Sequence, residues 1–247
     1  MNDHDARALL RRWDDQQEAY VAHREQRFTV MLETIRLHLG TEVRVLDLAC
    51  GPGALSDRVL AALPGSTVVA VDYDPMLLEI ARSALPAARA QVLDVDLVAV
   101  DWDNAVGDRR FDAVVSSTAL HWLSPAQLLG VYTTAARLVR PGGLLLNADH
   151  LPGLPAAFQA VAERHDAQTR EAGFAAGALD YRAWHDLAYD RPELAALREL
   201  REKRFADRPP QPRSPLDFHL AALRTAGFAE ATTVWQYLDD FVVAALR

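Results

Sequence analysis

Short apolar runs separated by helix-periodic stretches organise most of the first 150 residues. Residues 43–48 read as a buried strand, followed by a helix at 54–63 and a Pro64-Gly65 turn into a second strand at 67–72. Pro75 opens a helix over about 75–90, since proline suits a first helical turn. A third apolar run, 95–100, is expected to be a strand ending at Asp101-Trp102. Residues 111–116 form the fourth, a helix is expected over 125–140, and Pro141-Gly142-Gly143 turns the chain into a fifth strand at 144–148. Upstream, residues 4–39 read as helical, with Leu9, Trp13, Tyr20, Phe28, Met31, Leu32 and Ile35 inward and Gly40 as the stop.

Strands that alternate with helices imply right-handed crossovers and a parallel sheet, with a ligand across the strands' C-terminal ends. Residues 151–214 interrupt the pattern. They hold helix-forming runs at about 155–172, 178–190 and 192–206, then the breaker Pro209-Pro210-Gln211-Pro212. An insertion of this size after the fifth strand is expected to lie over the sheet's C-terminal edge as a helical lid. The chain ends in a helix at about 215–226 and apolar runs at 231–238 and 241–246 around Asp239-Asp240. Four segments follow: an N-terminal helical cap (1–40), an α/β core (41–150), the lid (151–214) and a closing helix and strand pair (215–247).

Composition narrows the functional classes. Half of the 247 residues are apolar, enough for a sizeable core, and no apolar run approaches the ~20 residues that span a bilayer. A net charge of −8 argues against nucleic acid as a partner, because phosphate binding needs clustered Lys and Arg. The run Arg198 to Arg204 has acids interleaved and reads as a solvated helix face. Cys50 is the single cysteine and the N-terminus is polar, so a reducing cytoplasm is expected. The histidines and Cys50 show no metal-ligand spacing, and no metal is expected.

The candidate chemistry begins at Asp47-Leu48-Ala49-Cys50-Gly51-Pro52-Gly53, a glycine turn between a strand and a helix that lets backbone approach a ligand. Asp72, nineteen residues after Gly53, ends the second strand, where a nucleoside presents its ribose hydroxyls. The dinucleotide fingerprint places a third glycine beside a pyrophosphate, but Ser56 stands there. Asp47 is a poor neighbour for phosphate and a good one for a cation. A ribose with an ammonium and a sulfonium, and no phosphate, fits this set: S-adenosylmethionine.

The run V-L-D-L-A-C-G-P-G, with V-V-A-V-D downstream, closely resembles motifs I and II of the class I S-adenosylmethionine-dependent methyltransferases, small-molecule type. The resemblance covers about 43–149 and 215–247. It implies a doubly wound α/β fold, a mostly parallel seven-stranded sheet whose last strand is antiparallel. It also implies that Asp47 faces the methionyl ammonium, that Ala49, Gly51 and Gly53 line the methionine moiety and ribose, and that Asp72 accepts the ribose hydroxyls beside Tyr73. Asp101-Trp102 matches the pair that reads the adenine, although Asp94 and Asp96 also end plausible strand segments. Ser116 and Ser117 fall at the fourth strand's end, and Tyr20 on the N-terminal helix is placed to close over the methionine end or to pack in the core.

The stretch Phe111 to Leu123 resembles the fourth-strand signature of the small-molecule members, which implies that His121 lies on the loop facing the donated methyl. Imidazole titrates near neutrality, so His121 is the first candidate base and His150, just past the fifth strand, the second. His185 and His219 read as fold or lid residues. The expected activity is methyl transfer to a small organic acceptor by in-line displacement, in a monomer or homodimer with no membrane or nucleic-acid partner. A non-catalytic S-adenosylmethionine-binding protein and a protein or RNA methyltransferase are the rival readings.

Overall fold

The computed structural model describes every residue except 108 and 209–211, so the expected breaker at 209–212 lies mostly outside the described residues. Seven strands form one sheet: β1 (Arg44–Leu48), β2 (Thr67–Asp72), β3 (Ala90–Asp94), β4 (Phe111–Ser117), β5 (Val139–His150), β6 (Glu230–Tyr237) and β7 (Asp240–Leu246). Their order is β3-β2-β1-β4-β5-β7-β6. The first five pair in parallel, and β7 inserts antiparallel between β5 and β6. The sheet and its antiparallel last strand are those the sequence implied.

Both faces of the sheet are covered, which the two-residue pleat makes visible in β1. Leu46 and Leu48 point into the cluster with Val114, Leu128, Tyr132 and Leu223. Val45 points the other way, to Phe28, Ile35, Val59 and Leu63. The helices α2 (Arg24–Leu39), α3 (Ala54–Ala62), α4 (Pro75–Ala84) and α5 (Pro125–Leu138) supply these faces together with the closing helix that holds Leu223, and α1 (Asp3–Tyr20) packs on α4. Local chemistry sets their ends. Asp74 accepts from the Met76 and Leu77 amides ahead of α4, and Ser124 with Gln127 forms a capping box on α5.

The insertion folds as α6 (Ala156–Ala175), α7 (Tyr181–Tyr189), α8 (Pro192–Ala195) and α9 (Arg198–Phe205), before α10 (Leu216–Thr225) returns to the sheet. It is seated on α1 and α4 through Trp184, which is fully buried with Leu9, Met76 and Ile80. Trp184 donates Nε1–H to the Leu9 carbonyl at 3.3 Å and meets Trp13 edge-on at 4.8 Å.

Two differences from expectation bear on the site. The N-terminal segment is two helices, broken at residues 21–23 where His23 sits at φ 58°. The third strand is Ala90–Asp94, pairing Asp94 with Asp72, and not residues 95–100. The run 95–100 is apolar because Val95 packs into the core, but it is a loop that closes the site.

Candidate functional site

The crevice lies where the sheet changes direction, since β1 neighbours both β2 and β4. After β1 the backbone turns through left-handed conformations at Ala49 (φ 53°), Gly51 (56°) and Gly53 (92°). Ala49 pays for its Cβ there; Gly51 and Gly53 do not. The loop is tied to β2 by the Cys50 amide donating to the Val71 carbonyl at 3.0 Å. A second tie is the Gly51 amide, which donates to Asp72 Oδ2 at 2.7 Å. Asp72 Oδ1 accepts from the Tyr73 and Asp74 amides at 2.7 and 2.8 Å. Burial nonetheless outweighs these donors and raises Asp72 to about 6.

Asp47 is 1% exposed and accepts the Ser56 hydroxyl at 2.6 Å. Burial is the main cause that lifts its carboxyl to about 7, against the Ser56 hydrogen bond. Ser56 therefore has a task at the position where a dinucleotide fold keeps glycine: it anchors an acid, which a pyrophosphate would repel.

These groups open on a cavity of about 760 Å³. Asp47, Ala49, Gly51, Asp72 and Tyr73 line its β1–β2 side. Tyr20, Ser117, His121 and His150 line the rest, so most of the sequence-predicted residues converge. Four do not reach the lining. Gly53 caps α3, and a Cβ there would come within 3.0 Å of Leu85. Ser116 is buried and donates to the Leu48 carbonyl at 2.9 Å, fastening β4 to β1. Asp101 and Trp102 are displaced because β3 ends six residues earlier than the apolar run suggested. Trp102 is instead a core residue, and Asp101 caps a short 3-10 turn. Residues 95–98 take the wall position, with Asp96 the acid among them.

His121 is part of a dyad. Its Nδ1 lies 2.8 Å from Asp149 Oδ1, and its backbone amide donates to Asp149 Oδ2 at 3.2 Å. Asp149 is fully buried at the end of β5. Burial works against its charge, but His121, Arg27 and His150 outweigh burial and hold its carboxyl below the ordinary range. Arg27, 0% exposed, supports this end of the sheet by donating Nε–H to Asp240 at 2.6 Å and Nη1–H to Thr118 at 3.0 Å. An ionised Asp149 accepts a hydrogen bond from the Nδ1–H of a neutral imidazole, which leaves Nε2 as the acceptor. His219 is buried beside Tyr132, 2.7 Å from its hydroxyl, and His185 donates to the Tyr181 carbonyl at 2.7 Å. Both are fold residues, as their sequence settings implied.

The insertion supplies cations to the opposite wall. Arg204 donates to both carboxylate oxygens of Asp94 at 2.8 Å and to the Tyr73 carbonyl at 2.7 Å. Arg208 pairs with Asp96, and its guanidinium lies 4.1 Å from the Tyr73 ring centre. Arg201 donates to Asp74 at 2.5 Å. Sequence reasoning missed these arginines because the run 198–204 has the interleaved acids of a solvated face. It also missed Asp149, whose one signal is an acid at a strand end preceding His150.

The acid pair, the cradle with three left-handed residues and the absence of a third glycine define a nucleoside-cofactor site of the S-adenosylmethionine type. Residues 45–143 match the family model of a methyltransferase domain. An uncharacterized methyltransferase of Synechocystis sp. is 37% identical over 131 residues, 52% of this chain and 57% of its own. Trans-aconitate 2-methyltransferase of Delftia acidovorans is 30% identical over 110 residues, 44% of this chain and 39% of its own. Among solved structures, human N-acetylserotonin methyltransferase in complex with S-adenosylmethionine shares the fold at TM-score 0.55 and 15% identity, over 89% of this chain and 51% of that one. The matched stretches thus span about half or less of the curated relatives' lengths. Residues 45–143 thus carry a methyltransferase domain, on a fold shared with an S-adenosylmethionine-bound methyltransferase.

Proposed function

We propose that this chain methylates a small organic acceptor, with His121 as the base for a nucleophile that carries a proton. The observation that carries the reading is the His121–Asp149 dyad, inside the same cavity as Asp47 and Asp72. S-adenosylmethionine, when bound, supplies a methyl group made electrophilic by its sulfonium. Asp47 and Asp72 would hold its ammonium and ribose, with Gly51 and Ala49 giving backbone approach, Tyr73 flanking the adenine and Tyr20 at the mouth. Asp96 replaces Asp101 as the acid for the adenine amino group, and Thr118 joins Ser117 at the strand end.

His121 Nε2 then accepts the acceptor's proton, while Asp149 fixes the tautomer and balances the imidazolium that forms. The insertion excludes water and narrows the cavity to small acceptors. Support for this acceptor class comes from relatives named for trans-aconitate and N-acetylserotonin, both small molecules. The reading places the chain in the cytoplasm, as a monomer or homodimer. No described helix is long and apolar enough to cross a membrane.

The test is transfer of labelled methyl from S-adenosylmethionine to a panel of phenols, alcohols, amines and carboxylic acids. Transfer that depends on His121 is the expected result. Tight cofactor binding with no transfer to any extract or panel member would favour a non-catalytic binding protein.

A further inference from the structure

One polar cluster in the cavity wall has no part in this scheme. Its members come from three separate elements: His150 at the end of β5, Asp166 in α6 and Asp239 in the turn between β6 and β7. One nitrogen or oxygen atom from each lies within 4.8 Å of those from the other two. His150 is 8% exposed, and its Nδ1 is 3.4 Å from Asp239 Oδ1. Its Nε2 is buried with no hydrogen-bond partner among the described residues. Gln159, seven residues before Asp166 on α6, donates its amide to Asp239 Oδ2 at 2.9 Å and so fixes that carboxylate.

Two carboxylates this close repel each other, and a buried imidazole nitrogen without a partner is costly. A divalent cation removes both penalties. We propose that His150, Asp166 and Asp239 form a binding site for a divalent first-row transition metal, with Gln159 orienting Asp239. One imidazole with two carboxylates suits Zn²⁺ or Mn²⁺ over a soft thiophilic ion. Bonds of about 2.1 Å hold ligand atoms roughly 3 to 4 Å apart, so the observed spread closes with side-chain movement of about 1 Å or less. Carboxylate ligands that carry an outer hydrogen bond are the usual arrangement, and Gln159 supplies it here.

The placement gives the metal its role. Asp166 belongs to the insertion, whereas His150 and Asp239 belong to the sheet. A bound ion joins the two at the rim of the cavity, since His150 and Asp166 both line it. It clamps α6 over the acceptor end. Binding needs neither cofactor nor acceptor, so the site stands or falls apart from methyl transfer.

The experiment uses chelator-stripped full-length protein titrated with ZnCl₂ by calorimetry and with MnCl₂ by electron paramagnetic resonance. About one equivalent should bind in the wild type. His150→Ala and the near-isosteric Asp166→Asn should each weaken binding at least tenfold, with circular dichroism and S-adenosylmethionine binding showing that the fold persists. Hydrogen exchange across 156–175 should slow on adding Zn²⁺ to the wild type and not to Asp166→Asn. No stoichiometric binding of either ion to the wild type overturns the proposal. So does binding that both variants retain in full, which would assign the ion to other histidines.

Discussion

Cofactor affinity should depend steeply on pH below neutrality, because the two acids assigned to the ligand are both buried. Asp47 stands at about 7 and Asp72 at about 6. In the proposed assignment the ionised carboxylates bind an ammonium and two ribose hydroxyls, so binding would drive deprotonation. If only the doubly ionised site receives the ligand, affinity follows the product of the two ionised fractions. That product rises roughly 800-fold between pH 5 and pH 7.5, and binding releases about 1.9 protons at pH 5 and about 0.6 at pH 7. Asp47→Asn removes the larger share and leaves about a tenfold rise from Asp72 alone. At pH 7.5 the same substitution should weaken binding by about 10- to 150-fold, the equivalent of about 1.5–3 kcal/mol for a charge-assisted contact.

Calorimetry in buffers of different ionisation enthalpy measures both quantities. The range stops at pH 7.5 because the ligand's own α-amino group, ordinarily about 7.7–8.0, loses charge above it. Unfolding does not mimic the effect through these residues. Their folded values lie above the ordinary carboxylate value, so their contribution to stability is full at low pH and is lost as pH rises through 6 and 7. An affinity that stays within threefold from pH 5 to 7.5, with no proton release, would refute the assignment of these acids to the ligand.

The dyad and the arginine wall give two further outcomes. His121→Ala should lower turnover by about 10²–10⁴ on a protonated nucleophile, and Asp149→Asn by about 10- to 150-fold, with cofactor affinity kept. The double variant should be no slower than His121→Ala, because Asp149 acts through the imidazole; additive losses in single-turnover transfer would separate the two roles. Replacing Arg204 and Arg208 together by Ala should raise hydrogen exchange across 192–208 and speed cofactor association several-fold in stopped-flow fluorescence. Unchanged exchange and association would show that these ion pairs do not hold the insertion closed.

The cofactor side of the site was legible because the strand tips dictate it. A glycine turn needs left-handed backbone, and an acid at the end of β2 needs a donor; both requirements leave marks within a few residues of sequence. Asp72, Gly51, Asp47 and Tyr73 were read this way, and all four line one cavity. The third strand was misplaced because apolarity marks burial, not strand geometry. Val95 is buried at 5% exposure in a loop, while the true strand, Ala90–Asp94, is only partly buried at the sheet's edge and carries a weak apolar signal. That shift put the expected adenine acid at Asp101, off the cavity, whereas Asp96 lines it. Asp149 and the arginines were missed for another reason. Their partners lie 28 residues away for His121 and 110 for Arg204 with Asp94, and no local period encodes such distances.

The two ends of the cavity therefore differ in kind. At the adenine end the insertion meets the sheet through opposite charges, with Arg204 on Asp94, Arg208 on Asp96, and both guanidinium groups over Tyr73. An adenine that stacks on Tyr73 and donates its amino group to Asp96 competes for the same surfaces as these arginines. Cofactor entry and insertion contacts are thus linked, and each should weaken the other by the same factor. At the acceptor end no such competition exists, since Asp149 is satisfied by His121 from the sheet side alone. In the proposed scheme His121 can be aligned before either ligand arrives, and the insertion would govern access to it.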